Sequence, residues 1–215
     1  MKKINEFEAY IFDLDGTLID SMGVWHMIDT WFFERRNMAL PKDYMDSVNT
    51  MNFKQAAVYT IDRFHLNDSI ESVMKEWMDD AVYAYGHEIE CKPYVPEYLQ
   101  KLKDNNKKIA LATSSDQALY KAVLQRHDLY GLFDVFVSTH DVKRAKGFPD
   151  IYEKAARLLE KPVDECIVFE DLYEAICGAK DGGFTVAAVQ DPFASNVSGI
   201  QDVSDYYIES FAKLL

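Results

Sequence analysis

The rhythm of hydrophobic and polar residues changes twice along this chain. Near the start, Ala9-Tyr10-Ile11-Phe12 is a short unbroken apolar run that stops at Asp13. Continuous hydrophobicity over four residues is the pattern of a strand buried on both faces. From about Ser21 to Tyr85 the spacing becomes helical. Trp25, Ile28, Trp31 and Phe32 recur every three or four residues, as do Ala57, Thr60, Ile61 and Phe64, and then Val73, Trp77, Met78, Ala81 and Tyr85. Pro41 and the cluster Asn67-Asp68-Ser69 punctuate these stretches. The aromatic residues Trp25, Trp31, Phe32 and Phe33 read as the core of this segment. Asp20 or Ser21 reads as the N-cap of its first helix, and His26 as a helix-surface residue.

After Pro93 the pattern alternates. Helices are expected over Val95 to Asn105, Asp116 to His127, Asp150 to Leu159 and Leu172 to Lys180, the last ending at Gly182-Gly183. Between them lie strands at Lys108 to Ala112, Val135 to Val137, Cys166 to Phe169 and Thr185 to Val189. Strands alternating with helices predict an α/β protein with a Rossmann-like parallel sheet covered on both faces. The first strand stands far from the rest, and a structureless loop of roughly 65 to 70 residues is implausible. The expected organisation is therefore a sheet domain of residues 1–20 plus 89–215, interrupted by a small helical domain of residues 21–88.

Composition narrows the function classes. With 48% hydrophobic residues the chain builds a packed core rather than a disordered ensemble. A net charge of −13 disfavours nucleic acid and anionic membranes as partners. No apolar run is long enough for a membrane span, and the start Met1-Lys2-Lys3-Ile4-Asn5-Glu6 lacks a signal-peptide core. Cys91, Cys166 and Cys177 are odd in number and lack metal-type spacing, which points to free thiols in a reducing, cytoplasmic setting. A monomer is expected, since nothing in this organisation requires a partner chain.

In an open parallel sheet, ligands bind beyond the carboxyl ends of the strands. The strands here end in Asp13-Leu14-Asp15-Gly16-Thr17, in Thr113-Ser114-Ser115 and in Glu170-Asp171, and the Val135 strand leads to a loop carrying Lys146. Several carboxylates in one crevice do not all stay ionised without a cation. Oxygen ligands without His or Cys suit Mg²⁺ better than zinc. A carboxylate beside Mg²⁺ can attack phosphorus, with Lys146 and Thr113 stabilising the transferring group and a second carboxylate moving the proton.

These residues resemble the motifs of the haloacid dehalogenase-like superfamily. Asp13-x-Asp15-Gly16-Thr17-Leu18 resembles its first motif, Thr113 the second, Lys146 followed by Pro149-Asp150-Ile151-Tyr152 the third, and Glu170-Asp171 the acidic fourth. The resemblance implies that Asp13 is the nucleophile and a metal ligand. It makes Asp15 the general acid/base, which also gives its backbone carbonyl to the metal. Thr113, Ser114 and Lys146 then hold the phosphoryl group, with Lys146 also restraining Asp13, and Asp171 and Glu170 complete a Mg²⁺ site. The insert resembles the helical cap of the β-phosphoglucomutase-like branch, which closes over the site. Gly147, Leu172 and Ala175 depart from the family pattern, at places where Pro, Ser or Thr, and Gly are frequent.

The implied activity is hydrolysis of a small phosphomonoester through an aspartyl phosphate. The alternative is a β-phosphoglucomutase-type sugar phosphomutase. A mutase needs cap cations for a second phosphate. Residues 21–92 hold seven basic and twelve acidic side chains. Trp25 aligns with the mutase histidine, and the loop Asn49-Thr50-Met51-Asn52-Phe53-Lys54 contains no arginine, leaving Lys54. Thr17 also fits the phosphatase form of the first motif. A non-enzymatic binding module would be favoured if Asp13, Asp15, Lys146 or Asp171 were missing, and all are present. Dehalogenation needs no metal, so the acidic fourth motif argues against it.

Overall fold

A computed structural model describes residues 2–48 and 51–215. Asn49 and Thr50, which open the arginine-free loop Asn49 to Lys54, lie outside the described residues. Two compact units are present: Gly23–Glu88, and the remainder up to Met22 together with Ile89–Leu215. The first boundary thus falls two residues later than residues 20/21.

The sheet unit contains six strands, β1 (Ala9–Phe12), β2 (Lys108–Thr113), β3 (Val135–Ser138), β4 (Cys166–Glu170), β5 (Thr185–Val189) and β6 (Tyr206–Ile208). They lie in the order β3-β2-β1-β4-β5-β6, and every pairing is parallel. Strand β1 is therefore flanked on both sides, which is why it reads as uninterrupted apolar sequence. Its side chains still alternate. Tyr10 and Phe12 face Tyr98 edge-on at 6.4 and 6.3 Å. Ala9 and Ile11 pack into the opposite cluster with Ile151, Tyr152, Ala155 and Ile176. Each buried ring contributes about 2 kcal/mol by removal from water.

The crossovers are α5 (Val95–Asp104), α6 (Gln117–Arg126), α7 (Asp150–Leu158), α8 (Tyr173–Asp181) and α9 (Val197–Val203). Three strands run one residue further than expected, to Thr113, Ser138 and Glu170. The expectation missed α9 and β6, a seven-residue helix and a three-residue edge strand that are too short to establish a period. Two linker segments pair inside the sheet unit, with an antiparallel bridge between Ile19 and Cys91.

The helical unit comprises α1 (Val24–Arg35), α2 (Tyr44–Val48), α3 (Phe53–Phe64) and α4 (Ile70–His87). Helix α4 is N-capped by Ser69, whose hydroxyl accepts the Ser72 N–H. Phe32, Phe33, Tyr44 and Trp77 form the aromatic core. Trp25 is not part of it, being 40% exposed and edge-on to Phe53 at 5.9 Å. The N-cap of α1 is Gly23, without a side-chain cap bond, which corrects the assignment to Asp20 or Ser21. His26 is exposed, as its helix-surface reading requires. The rings of His127 and His140 meet the Ile89 carbonyl and the Asp116 carboxylate. The cysteines are free, with Cys166 buried and Cys91 and Cys177 half-buried. No helix among the described residues is long and apolar enough to cross a membrane.

Candidate active site

Strand order reverses direction at β1, since β2 and β3 lie on one side and β4 to β6 on the other. A crevice opens at the carboxyl ends at such a switch point. Asp13 continues β1 by one residue, its N–H bonding to the Phe169 carbonyl at 3.0 Å. This bond holds the end of β1 against the end of β4. The carboxylates of Asp13, Glu170 and Asp171 offer oxygens that all lie within 4.8 Å of one another, and all three residues are buried.

The chain then coils tightly. The Leu14 carbonyl accepts N–H groups from Thr17, Leu18 and Ile19 at 3.3, 2.8 and 3.1 Å. Gly16 sits at φ +81°, and a Cβ there would run into the Asp171 carboxylate. Glycine is thus required twice, by backbone conformation and by space. Thr17 is fully buried and its hydroxyl donates to Asp171 Oδ1 at 3.1 Å. Asp15 accepts from the Ser21 hydroxyl at 2.7 Å and from the Ser115 hydroxyl at 2.6 Å, one on each oxygen.

Lys146 is buried with its ammonium on Asp13 Oδ1 and on Glu170 Oε1, the latter at 2.5 Å. Its loop is secured from both sides. Arg144 pairs with Asp150 at 2.6 Å. Gly178 of α8 lies so close that a Cβ would meet Gly147 C at 2.7 Å and Phe148 N at 2.8 Å. Glu170 is wholly buried at the end of β4 and its second oxygen accepts the Asp171 N–H at 3.1 Å. Since α8 begins only at Tyr173, Glu170 is a strand residue and not a helix-terminal acid.

The electrostatics follow from this crowding. Burial, then the Glu170 charge, raises the Asp13 pKa well above the ordinary carboxylate range, against the opposing pull of Lys146. Burial and Glu170 likewise push Asp171 up to about 7. Burial pulls the Lys146 ammonium down, but Asp13 and Glu170 outweigh it and keep it protonated. Fully ionised, three carboxylates face one ammonium, an imbalance of two negative charges. An all-oxygen donor set with that imbalance fits a hard divalent cation.

The sequence-derived residues occupy one edge to different degrees. Asp13, Glu170, Asp171 and Lys146 are in mutual reach. The register that sets Phe12 opposite Leu111 puts buried Thr113 two residues further along the same edge. Ser114 is exposed, and it is Ser115 whose hydroxyl reaches Asp15, with its N–H on Thr113 Oγ1 at 3.0 Å. Sequence reasoning gave no role to Ser21 in the site, to Gly178 or to Tyr152. Tyr152 was quoted only as the last residue of the stretch resembling the third motif, with no role attached to its hydroxyl.

A buried carboxylate held by lysine thus sits at the switch point of a parallel sheet. The profile of haloacid dehalogenase-like hydrolases matches residues 10–189, and the chain belongs to that family. A phosphorylated carbohydrates phosphatase of Thermotoga maritima is 28% identical over 82% of this chain and 82% of its own length. The pyrophosphatase PpaX of Bacillus cereus strain Q1 is 27% identical over 87% of this chain and 83% of its own. Among crystal structures, a candidate β-phosphoglucomutase from Thermotoga maritima superposes with a TM-score of 0.83 at 25% identity, covering 94% of both chains.

Proposed function

We propose that this hydrolase is a Mg²⁺-dependent phosphatase that releases phosphate from a small phosphomonoester through an aspartyl phosphate on Asp13. The observation that carries the reading is the buried set of Asp13, Glu170 and Asp171 around one ammonium. When bound between these carboxylates and the Asp15 carbonyl, Mg²⁺ would neutralise the excess charge and draw electron density from the phosphoryl group.

The chain's own residues do the rest. Lys146 orients Asp13 through Oδ1 and shares its charge with the transferring phosphoryl group. A carboxylate oxygen of Asp13 attacks phosphorus, and the bond to the ester oxygen breaks. Asp15, aimed by the Ser21 and Ser115 hydroxyls, delivers the proton to the leaving oxygen. Ionised Asp15 then takes a proton from water, which attacks the aspartyl phosphate and frees phosphate. Thr113 and the backbone at Ser114 hold the phosphoryl oxygens through both steps.

Hydrolysis is favoured over sugar phosphomutation by the state of the helical unit's cations. Arg35, Arg36 and Arg63 are the three arginines of residues 21–92, and each is held in ion pairs, with Glu76 and Asp80, with Asp68 and Glu76, and with Asp43. Lys54 is exposed. Relatives named for phosphorylated carbohydrates and for pyrophosphate define the panel to assay. Sugar phosphates, pyrophosphate, nucleotides and glycolytic acids are screened with and without Mg²⁺. The expected result is Mg²⁺-dependent phosphate release that Asp13→Asn lowers by at least about 10³-fold. Full turnover by Asp13→Asn eliminates the nucleophile, and interconversion of glucose 1-phosphate and glucose 6-phosphate establishes the mutase instead.

A further inference from the structure

We propose that Tyr152, in helix α7, is a positioning residue for this site: its hydroxyl fixes the Glu170 carboxylate, and through it Lys146 and the metal-binding edge. Three donors hold the buried Glu170 side chain. Lys146 Nζ and the Tyr152 hydroxyl both donate to Oε1, at 2.5 and 2.8 Å, and the Asp171 N–H donates to Oε2 at 3.1 Å. These donors are not equivalent. Lys146 also serves Asp13 and, in the proposed reaction, the phosphoryl group, so it cannot be the sole anchor of Oε1. The Asp171 N–H is backbone at the end of β4. Tyr152 is 0% exposed and its ring packs edge-on against Phe184 at 6.2 Å. Its hydroxyl therefore approaches Oε1 from a fixed direction.

Two rigid donors, one per oxygen, set the plane of the Glu170 carboxylate whatever Lys146 does. The tyrosine is also neutral. It steadies Glu170 without adding a positive charge that would compete for Asp13 or repel a divalent cation. Burial, reinforced by the Glu170 charge, raises its pKa, so it remains a donor through the working pH range. Outer groups that hold metal-binding carboxylates in this way commonly change affinity or activity by about 10- to 100-fold when removed.

Tyr152→Phe keeps the ring and its packing and deletes only the donor. Calorimetric titration of the substrate-free protein with MgCl₂, and steady-state hydrolysis of p-nitrophenyl phosphate, read the effect. The variant is expected to bind Mg²⁺ about tenfold more weakly and to lose about tenfold in kcat, with KM within about twofold. Tyr10→Phe is the control. Tyr10 is equally buried, and its hydroxyl donates to the Ile4 carbonyl at 2.8 Å. It should lose thermal stability without a change in Mg²⁺ affinity or kcat. Unchanged Mg²⁺ affinity and kcat in Tyr152→Phe, or equal losses in Tyr10→Phe, would overturn the inference. It rests on the phosphatase reading. A wild type without Mg²⁺ binding or Mg²⁺-dependent hydrolysis sinks both, whereas an active wild type beside an unaltered Tyr152→Phe sinks the inference alone.

Discussion

The sheet unit and the helical unit treat charge in opposite ways. Among the described residues, the sheet unit buries Asp13, Lys146, Glu170, Asp171 and Asp191, along with Thr17, Ser21 and Thr113, whereas the helical unit buries only Asp29 and Thr60 of its polar side chains. The helical unit keeps its other charges where water shares them. Arg35, half-exposed, pairs with Glu76 and Asp80, and Arg36 pairs with Glu76 and Asp68 while lying 3.7 Å from the Phe32 ring centroid. Partly solvated pairs cost little to form and contribute little. A buried cluster of like charges is costly and persists where its chemistry is used. Placement of charge, more than its amount, therefore marks the candidate active edge.

Removing the sheet unit's single buried ammonium is the harshest way to break this comparison. Lys146→Ala leaves Asp13 and Glu170 facing each other, and about 3–5 kcal/mol of stability should go with it. Hydrolysis should fall by at least about 10²-fold, since a charge on the transferring group is lost as well. Chemical denaturation and steady-state kinetics measure the two losses. A fully stable, active variant would show that Lys146 is a surface lysine in all but location.

The metal response is next in size. Asp171 has a folded pKa of about 7 against an ordinary 3.8, so its contribution to stability is complete below about pH 4 and is lost as pH rises through about 7. On the proposed reading, Mg²⁺ would substitute for the missing protons. At pH 8, millimolar MgCl₂ should raise the melting temperature by about 2–4 °C, and at pH 5.5 by less, because protons compete for the same oxygens. Equal shifts at both pH values would mean that the ion binds elsewhere.

Asp29 sharpens the contrast, since burial alone pushes it up to about 7 too. Its pH dependence has the same sign as that of Asp171, with stability lost as pH rises through about 7. Among the described residues, Asp29 belongs to no cluster of metal-ligating groups. Asp29→Asn should therefore stabilise the protein at pH 8 by on the order of 2 kcal/mol. The Mg²⁺-induced shift in melting temperature should remain. The comparison fails if this substitution abolishes the Mg²⁺ response. The smallest effect is expected for Arg36→Ala, a loss of about 1–2 kcal/mol in thermal unfolding from the ion pairs and the Phe32 contact. Turnover of p-nitrophenyl phosphate should stay within about twofold.

Legibility in the sequence followed the range of the interactions involved. Strand β1 was readable because four adjacent side chains carry its burial, and the acids at strand ends were readable because they follow the apolar runs directly. Helices α1, α3 and α4 announced themselves through repeats spanning several turns. Trp25 misled because helical spacing identifies a stripe but not which end of the stripe packing will cover. Ser114 and Ser115 could not be ranked, since adjacent residues leaving a strand diverge by an angle that only the loop's path decides. Ser21 resembled a helix cap and became a partner of Asp15, because the helix starts later than the polar pair.

By itself the sequence determined the strand and helix alternation, the split of the sheet domain and the identity of the groups available for chemistry. All of these are written within windows of about 5–20 residues, where local sterics and burial act. Tertiary structure decided which groups meet. The contacts of Asp13 with Lys146, of Asp15 with Ser115 and of Thr17 with Asp171 span 133, 100 and 154 residues. Such contacts depend on strand order and register, which no local pattern encodes, so the site's residue types could be read in advance while their partners awaited the fold.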